Sequence, residues 1–122
     1  MEKMSPQMRH QLAQFQQAQQ QAQVLIGQRQ QLDVLLHETE HAAEELAKLP
    51  DDSVVYKSVG PILVRADKNE LKKSLEEQKE TLDLRVKTLE RQSERAVQRL
   101  KEMRDKIEKA LKGQQPIEGT PS

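Results

Sequence analysis

Proline and glycine are missing from almost all of two long stretches of this chain, and that distribution limits what it can fold into. Pro6 stands near the start, Pro50, Gly60 and Pro61 cluster in the middle, and Gly113, Pro116, Gly119 and Pro121 crowd the end. Residues 8–48 and 68–112 hold a single glycine, Gly27, and no proline. Proline removes a backbone donor and breaks a helix, and glycine weakens one, so runs nearly free of both suit long helices. With only 34% hydrophobic residues, 33% charged ones, and Phe15 and Tyr56 as its aromatics, the chain cannot fill the thick core of an ordinary domain, which is about 45–50% apolar. Two long helices burying a narrow seam need far less, and a disordered chain needs none.

Periodicity decides between them. With Met8 at position a of a heptad, the a series is Met8, Phe15, Ala22, Arg29, Leu36, Ala43 and the d series is Gln11, Ala18, Leu25, Leu32, Thr39, Leu46. Nine of these twelve are apolar, which is a coiled-coil seam, though thin. Glutamine is a good helix former, so the run from Gln14 to Gln31 fits a helix. In the second stretch the d series, Leu75, Leu82, Leu89, Ala96, Met103 and Ala110, is apolar throughout. Its a series, Lys72, Lys79, Val86, Ser93, Leu100 and Ile107, becomes apolar mainly toward the C-terminus. Asp67 with Glu70 reads as an N-terminal capping box, and Gly113 as the residue ending the helix. Helix one carries three basic residues and five acids, helix two fourteen and ten; opposite net signs favour their pairing modestly.

Residues 49–67 differ in kind. Pro50-Asp51-Asp52 stops a helix and turns the chain. Val54, Val55, Tyr56, Val59, Ile62, Leu63 and Val64 are strand formers, and Gly60-Pro61 splits them as a hairpin turn does. Two short strands are expected near 54–59 and 62–65. A lone two-stranded hairpin is marginal in water, and its apolar unpaired edges call for other chains to cover them. The expected organisation is one mainly α domain over 1–122: helix 8–48, linker and β-hairpin 49–67, helix 68–112 and a flexible tail 113–122. The short link makes the helices antiparallel, each about 60–70 Å long.

Most chemistry is excluded. The sequence has no cysteine, hence no disulfide or thiolate chemistry, which suits a reducing compartment. Zero formal net charge and basic residues interleaved with acids argue against nucleic acid or an anionic membrane as partner. No apolar run approaches the roughly 20 residues of a membrane span, and residues 1–15 lack the apolar core of a secretory signal. A soluble, cytoplasmic protein is expected. His37-Glu38-Thr39-Glu40-His41 matches the H-E-x-x-H zinc motif. Thr39 is a seam position, however, so His37 and His41 face solvent, and His10, the only other histidine, would lie about 40 Å along the helix. A two-helix rod offers no cleft for a third ligand. No catalytic residue, metal site or cofactor is expected.

The ends of the helices say more. Met4, Met8, Leu12 and Phe15 lie near one terminus, and Met103, Ile107, Leu111 and Ile117 near the other; antiparallel pairing brings the two sets together. Some must close the seam. Leu12 and Leu111 fall off a and d, and Met4 and Ile117 lie beyond the helices, so the set also suits an adaptable apolar surface for contacting other proteins.

The segment Leu-Pro-Asp-Asp-Ser-Val-Val-Tyr-Lys-Ser-Val-Gly-Pro-Ile-Leu-Val-Arg at 49–65, between two such helices, resembles the β-type subunits of prefoldin, the hexameric holdase chaperone of archaea and eukaryotes, as does Leu-Glu-Arg-Gln at 89–92. The likeness covers about residues 5–112. The α-type subunits carry two hairpins, and the short link here has room for one. The resemblance implies an ATP-independent holdase subunit of archaeal type, in a hexamer of two α-type and four β-type chains. Val54, Val55, Tyr56, Val59, Gly60, Ile62, Leu63 and Val64 would join an intersubunit β-barrel. Non-native proteins would be held at the helix tips by Met4, Met8, Leu12, Phe15, Ile107 and Leu111, and passed to a group II chaperonin. The main alternative is a coiled-coil adaptor or scaffold without chaperone activity; a periplasmic tentacled chaperone fits less well.

Overall fold

The computed structural model describes residues 4–114, with elements in the order α1 (Pro6–Lys48), β1 (Val55–Val59), β2 (Ile62–Ala66) and α2 (Lys68–Gln114). Helix α1 begins two residues before the heptad reading suggests. Ser5 is its N-cap: Oγ accepts the Met8 N–H at 3.0 Å, and its carbonyl accepts the Arg9 N–H at 3.0 Å. Pro6 takes the first helical position, where its missing N–H costs nothing. Helix α2 starts as Asp67 and Glu70 suggest: Asp67 Oδ2 accepts the Glu70 N–H at 3.0 Å, and the Asp67 carbonyl accepts the Leu71 N–H at 2.9 Å. Its other end corrects the expectation. Gly113 lies inside α2, which runs on to Gln114, and Gly60 is the described glycine with positive φ. The tail expected beyond that point lies outside the described residues.

Between the helices the Ser53 N–H donates to the Pro50 carbonyl at 3.0 Å, closing the acidic turn. The strands pair antiparallel from Val55↔Ala66 to Val59↔Ile62, leaving Gly60-Pro61 as a two-residue turn. Gly60 has φ 59°, the value that the first central residue of a type II′ hairpin turn requires. Side chains alternate across the ladder. Val55, Lys57 and Val59 share a face with Ala66, Val64 and Ile62, while Tyr56 and Ser58 share the other with Arg65 and Leu63.

The described residues form two compact units, Gln28–Leu89 and a second made from residues 4–27 with 90–114. In the first, one groove is lined by Gln28 and Leu32 with Leu84 and Leu89, the next by Leu35 and Thr39 with Gln78 and Leu82, and a third by Ala42, Leu46 and Leu49 with Leu71 and Leu75. Rising numbers on α1 meet falling numbers on α2, so the helices run antiparallel. Leu36, Leu46 and Val86 are buried between them. In the second unit Met8, Ala22 and Ile107 are buried, as is Ser93, whose hydroxyl donates to the Glu90 carbonyl at 3.0 Å. All twelve a and d positions of α1 are buried or half-buried. In α2 only Lys72 and Lys79 among the heptad positions are exposed, their ammonium groups staying in water; Lys79 Nζ stands 3.9 Å from Glu40 Oε2.

Candidate functional site

Among the described residues, the β-hairpin gathers a cluster of uncovered apolar side chains. Val54, Tyr56, Val59, Ile62, Leu63 and Val64 are all exposed, Leu63 at 70%, whereas Val55 is only 7% exposed. Position along the hairpin explains the contrast, since Val59, Ile62 and Val64 share the face of Val55 and are exposed. Val55 opens β1 where the strand leaves the helices, and it turns onto their seam beside Leu46 and Leu71. Residues nearer the Gly60-Pro61 turn have nothing beneath them. On one side Tyr56 and Leu63 continue into an open groove of about 800 Å³ with Ala42, Leu46, Leu49 and Val54. Two strands leave both edges of the ladder unpaired.

One anchor of the hairpin was not legible in the helical pattern. Lys68 Nζ donates to the Leu49 carbonyl at 2.7 Å and lies 3.4 Å from Asp51 Oδ1, with its side chain 12% exposed. The first residue of α2 therefore satisfies a carbonyl that the end of α1 leaves open, tying both ends of the hairpin segment together.

In the other unit, the start of α1 and the end of α2 lie together. A groove of about 460 Å³ is lined by Gln11 and Gln14 from α1, and by Arg99, Glu102, Met103, Lys106 and Ile107 from α2. The apolar residues singled out from the sequence divide here. Met8, 1% exposed, and Ile107 are buried and close the seam; Leu12, Phe15 and Met103 are half-buried; Met4 and Leu111 are exposed. Ile117 lies outside the described residues. The heptad reading passed over Val24, Val34, Leu35 and Leu84, which stand exposed off the seam. Their signal was available, since each is apolar at a position off the seam.

His37, Glu38 and His41 are exposed on α1. His37 Nδ1 lies 2.7 Å from the Asp33 carbonyl, so that nitrogen carries the proton and donates. Among the described residues no group of three His, Cys, Asp or Glu is placed to hold a metal ion. The helical spacing that creates the motif also aims it at water. Nor is any helix among the described residues long and apolar enough to cross a membrane.

Two long helices joined by one antiparallel β-hairpin define a mainly helical protein. Residues 9–114 match the family described as Prefoldin subunit. The chain is 47% identical over 114 residues to the prefoldin subunit beta of Methanothrix thermoacetophila, covering 93% of this chain and 94% of that one. It is 46% identical over 114 residues to the prefoldin subunit beta of Archaeoglobus fulgidus, covering 93% and 98%. The crystal structure of the prefoldin beta subunit from Thermococcus strain KS-1 is similar with a TM-score of 0.82 and 38% identity, over 95% of this chain and 100% of that one. The chain belongs to the prefoldin family, and the members it is similar to are beta subunits. It is accordingly a chaperone subunit and not an enzyme.

Proposed function

We propose that the chain is an ATP-independent holdase subunit that binds non-native proteins where α1 begins and α2 ends, and delivers them to a group II chaperonin. The observation that carries this reading is the exposure of Met4 and Leu111 in the unit whose groove contains Met103 and Ile107. Flexible apolar side chains adapt to clients of different shape. Leu12, Phe15 and Met103 extend the surface. Met8 and Ile107 join it when the terminal turns part, an opening that costs little at helix ends; Ile117 belongs to the same proposed set. Each contact is weak, so holding relies on several copies acting together.

Those copies come from assembly. The hairpin residues Val54, Val55, Tyr56, Val59, Gly60, Ile62, Leu63 and Val64 build an intersubunit β-barrel in a hexamer of two α-type and four β-type chains, which removes the open strand edges. The absence of cysteine suits the cytoplasm as its compartment. The chain needs no nucleotide, because release follows when the chaperonin competes for the client. The test is suppression of aggregation of a chemically denatured enzyme, followed by light scattering. Met4→Ser with Leu111→Ser should leave the assembly intact and weaken holding several-fold. Undiminished suppression would remove this surface from the reading. One fixed partner, with no effect on aggregation by the unaltered chain, would favour an adaptor instead.

A further inference from the structure

The unit containing the start of α1 and the end of α2 is chemically lopsided. From Gln11 to Gln28 no residue carries a charge, and eight of the residues from Gln11 to Gln23 are glutamines. Residues 90–112 of α2, in the same unit, carry thirteen charged side chains. Both helices need solubility, and acid–base pairs at helical spacing would have stabilised α1 as well as they do α2. Gln14, Gln17, Gln21 and Val24 follow one another at spacings of three and four, so they form one stripe, and all four are exposed. The stripe begins in the groove with Met103 and Ile107, where Gln14 is a wall. Among the described residues no hydrogen bond engages these glutamine amides.

We infer that this stripe binds the main chain of an extended, uncharged segment of a non-native polypeptide. The inference rests on the holdase reading and names what that surface recognises beyond apolar side chains. A glutamine side chain offers donors and acceptors matching those of a peptide group. In a folded protein those groups are already paired within helices and sheets; in an unfolded segment they are free. A row of amides therefore discriminates by folded state and not by sequence. The absence of charge sets the partner's character. A charged segment would lose hydration against Gln14, Gln17, Gln21 and Val24, none of which is a counter-ion, whereas a neutral one exchanges hydrogen bonds to water for hydrogen bonds to the stripe; Arg99, Glu102 and Lys106 share the groove only at the Gln14 end. Val24 adds an apolar contact at its far end.

The test uses the full-length chain and a fluorescein-labelled unstructured peptide of serine, threonine, valine and leucine, read by anisotropy. Gln17→Glu with Gln21→Glu, and separately Gln17→Lys with Gln21→Lys, should each weaken binding about tenfold. Helicity should persist, because the three residue types have similar helix propensity. Binding by the unaltered chain should change little between about 0.05 and about 0.5 M salt. Loss with only one sign of charge, or steep salt dependence, would overturn the inference in favour of the charged residues of α2. Full binding by both glutamine double variants, with binding lost in Met4→Ser/Leu111→Ser, would overturn it and leave the holdase reading standing. Suppression of aggregation by an unaltered chain that ignores the neutral peptide would do the same. Failure of the unaltered chain in both assays would overturn both.

Discussion

Leu63 and Val55 lie on opposite faces of the same hairpin, and replacing each with serine separates assembly from folding. A fully buried leucine or valine side chain is worth about 1.5–3 kcal/mol. Leu63 is 70% exposed in the isolated chain, so most of its value, roughly 1–2 kcal/mol, is available only from a partner. Leu63→Ser should therefore leave the melting of the isolated chain nearly unchanged and raise the concentration needed for assembly by roughly 5–30-fold per contact. Val55 is 7% exposed and has already realised its value within the chain. Val55→Ser should cost about 2 kcal/mol and also bury a hydroxyl, lowering the melting temperature by several degrees. Native mass spectrometry over a dilution series with the partner chain, alongside thermal melts by circular dichroism, gives both readings. If Leu63→Ser assembles over the same range as the unaltered chain, or if Val55→Ser melts unchanged, then the division of the hairpin into a residue packed within the chain and residues left for a partner is wrong.

Other outcomes follow from the same geometry. Lys68→Met keeps the stem but removes the donor to the Leu49 carbonyl; water can reach that exposed carbonyl, so the loss should be about 1 kcal/mol, seen as a lower denaturant midpoint with unchanged helicity. Gly60→Ala meets no steric obstacle, since nothing lies within 4 Å of a Cβ built there. Its cost should therefore be the left-handed φ alone, about 1–2 kcal/mol, and faster amide exchange in β1 and β2 would report it; a stability equal to the unaltered chain would mean that the turn relaxes to another type.

The seam, the hairpin and the cap at Asp67 were legible because each is a local or periodic signal. The seven-residue spacing from Met8 to Ala43 fixes which side of α1 faces its partner, whatever that partner is. Gly60-Pro61 fixes a turn by allowing a positive φ at one residue and restricting the next. The outward placement of His37 and His41 was likewise legible from spacing, since Thr39 is a seam position. The same local signals misled at Gly113, where a glycine by itself does not end a helix.

The sequence by itself determined two helices, one hairpin and an assignment of faces, because backbone preferences and side-chain periods act within a few residues of each position. Only the tertiary structure decided how far those faces are covered. Heptad spacing treats Met8 as another seam position and Met4 as an overhang; the burial of Met8 and the exposure of Met4 depend on what α2 places against them. Nor does any local rule bring Lys68 to the Leu49 carbonyl nineteen residues away, since that bond exists only once the hairpin has folded back. Coverage and long-range hydrogen bonds are properties of two segments at once, and a pattern read along one segment holds no record of where the other ends.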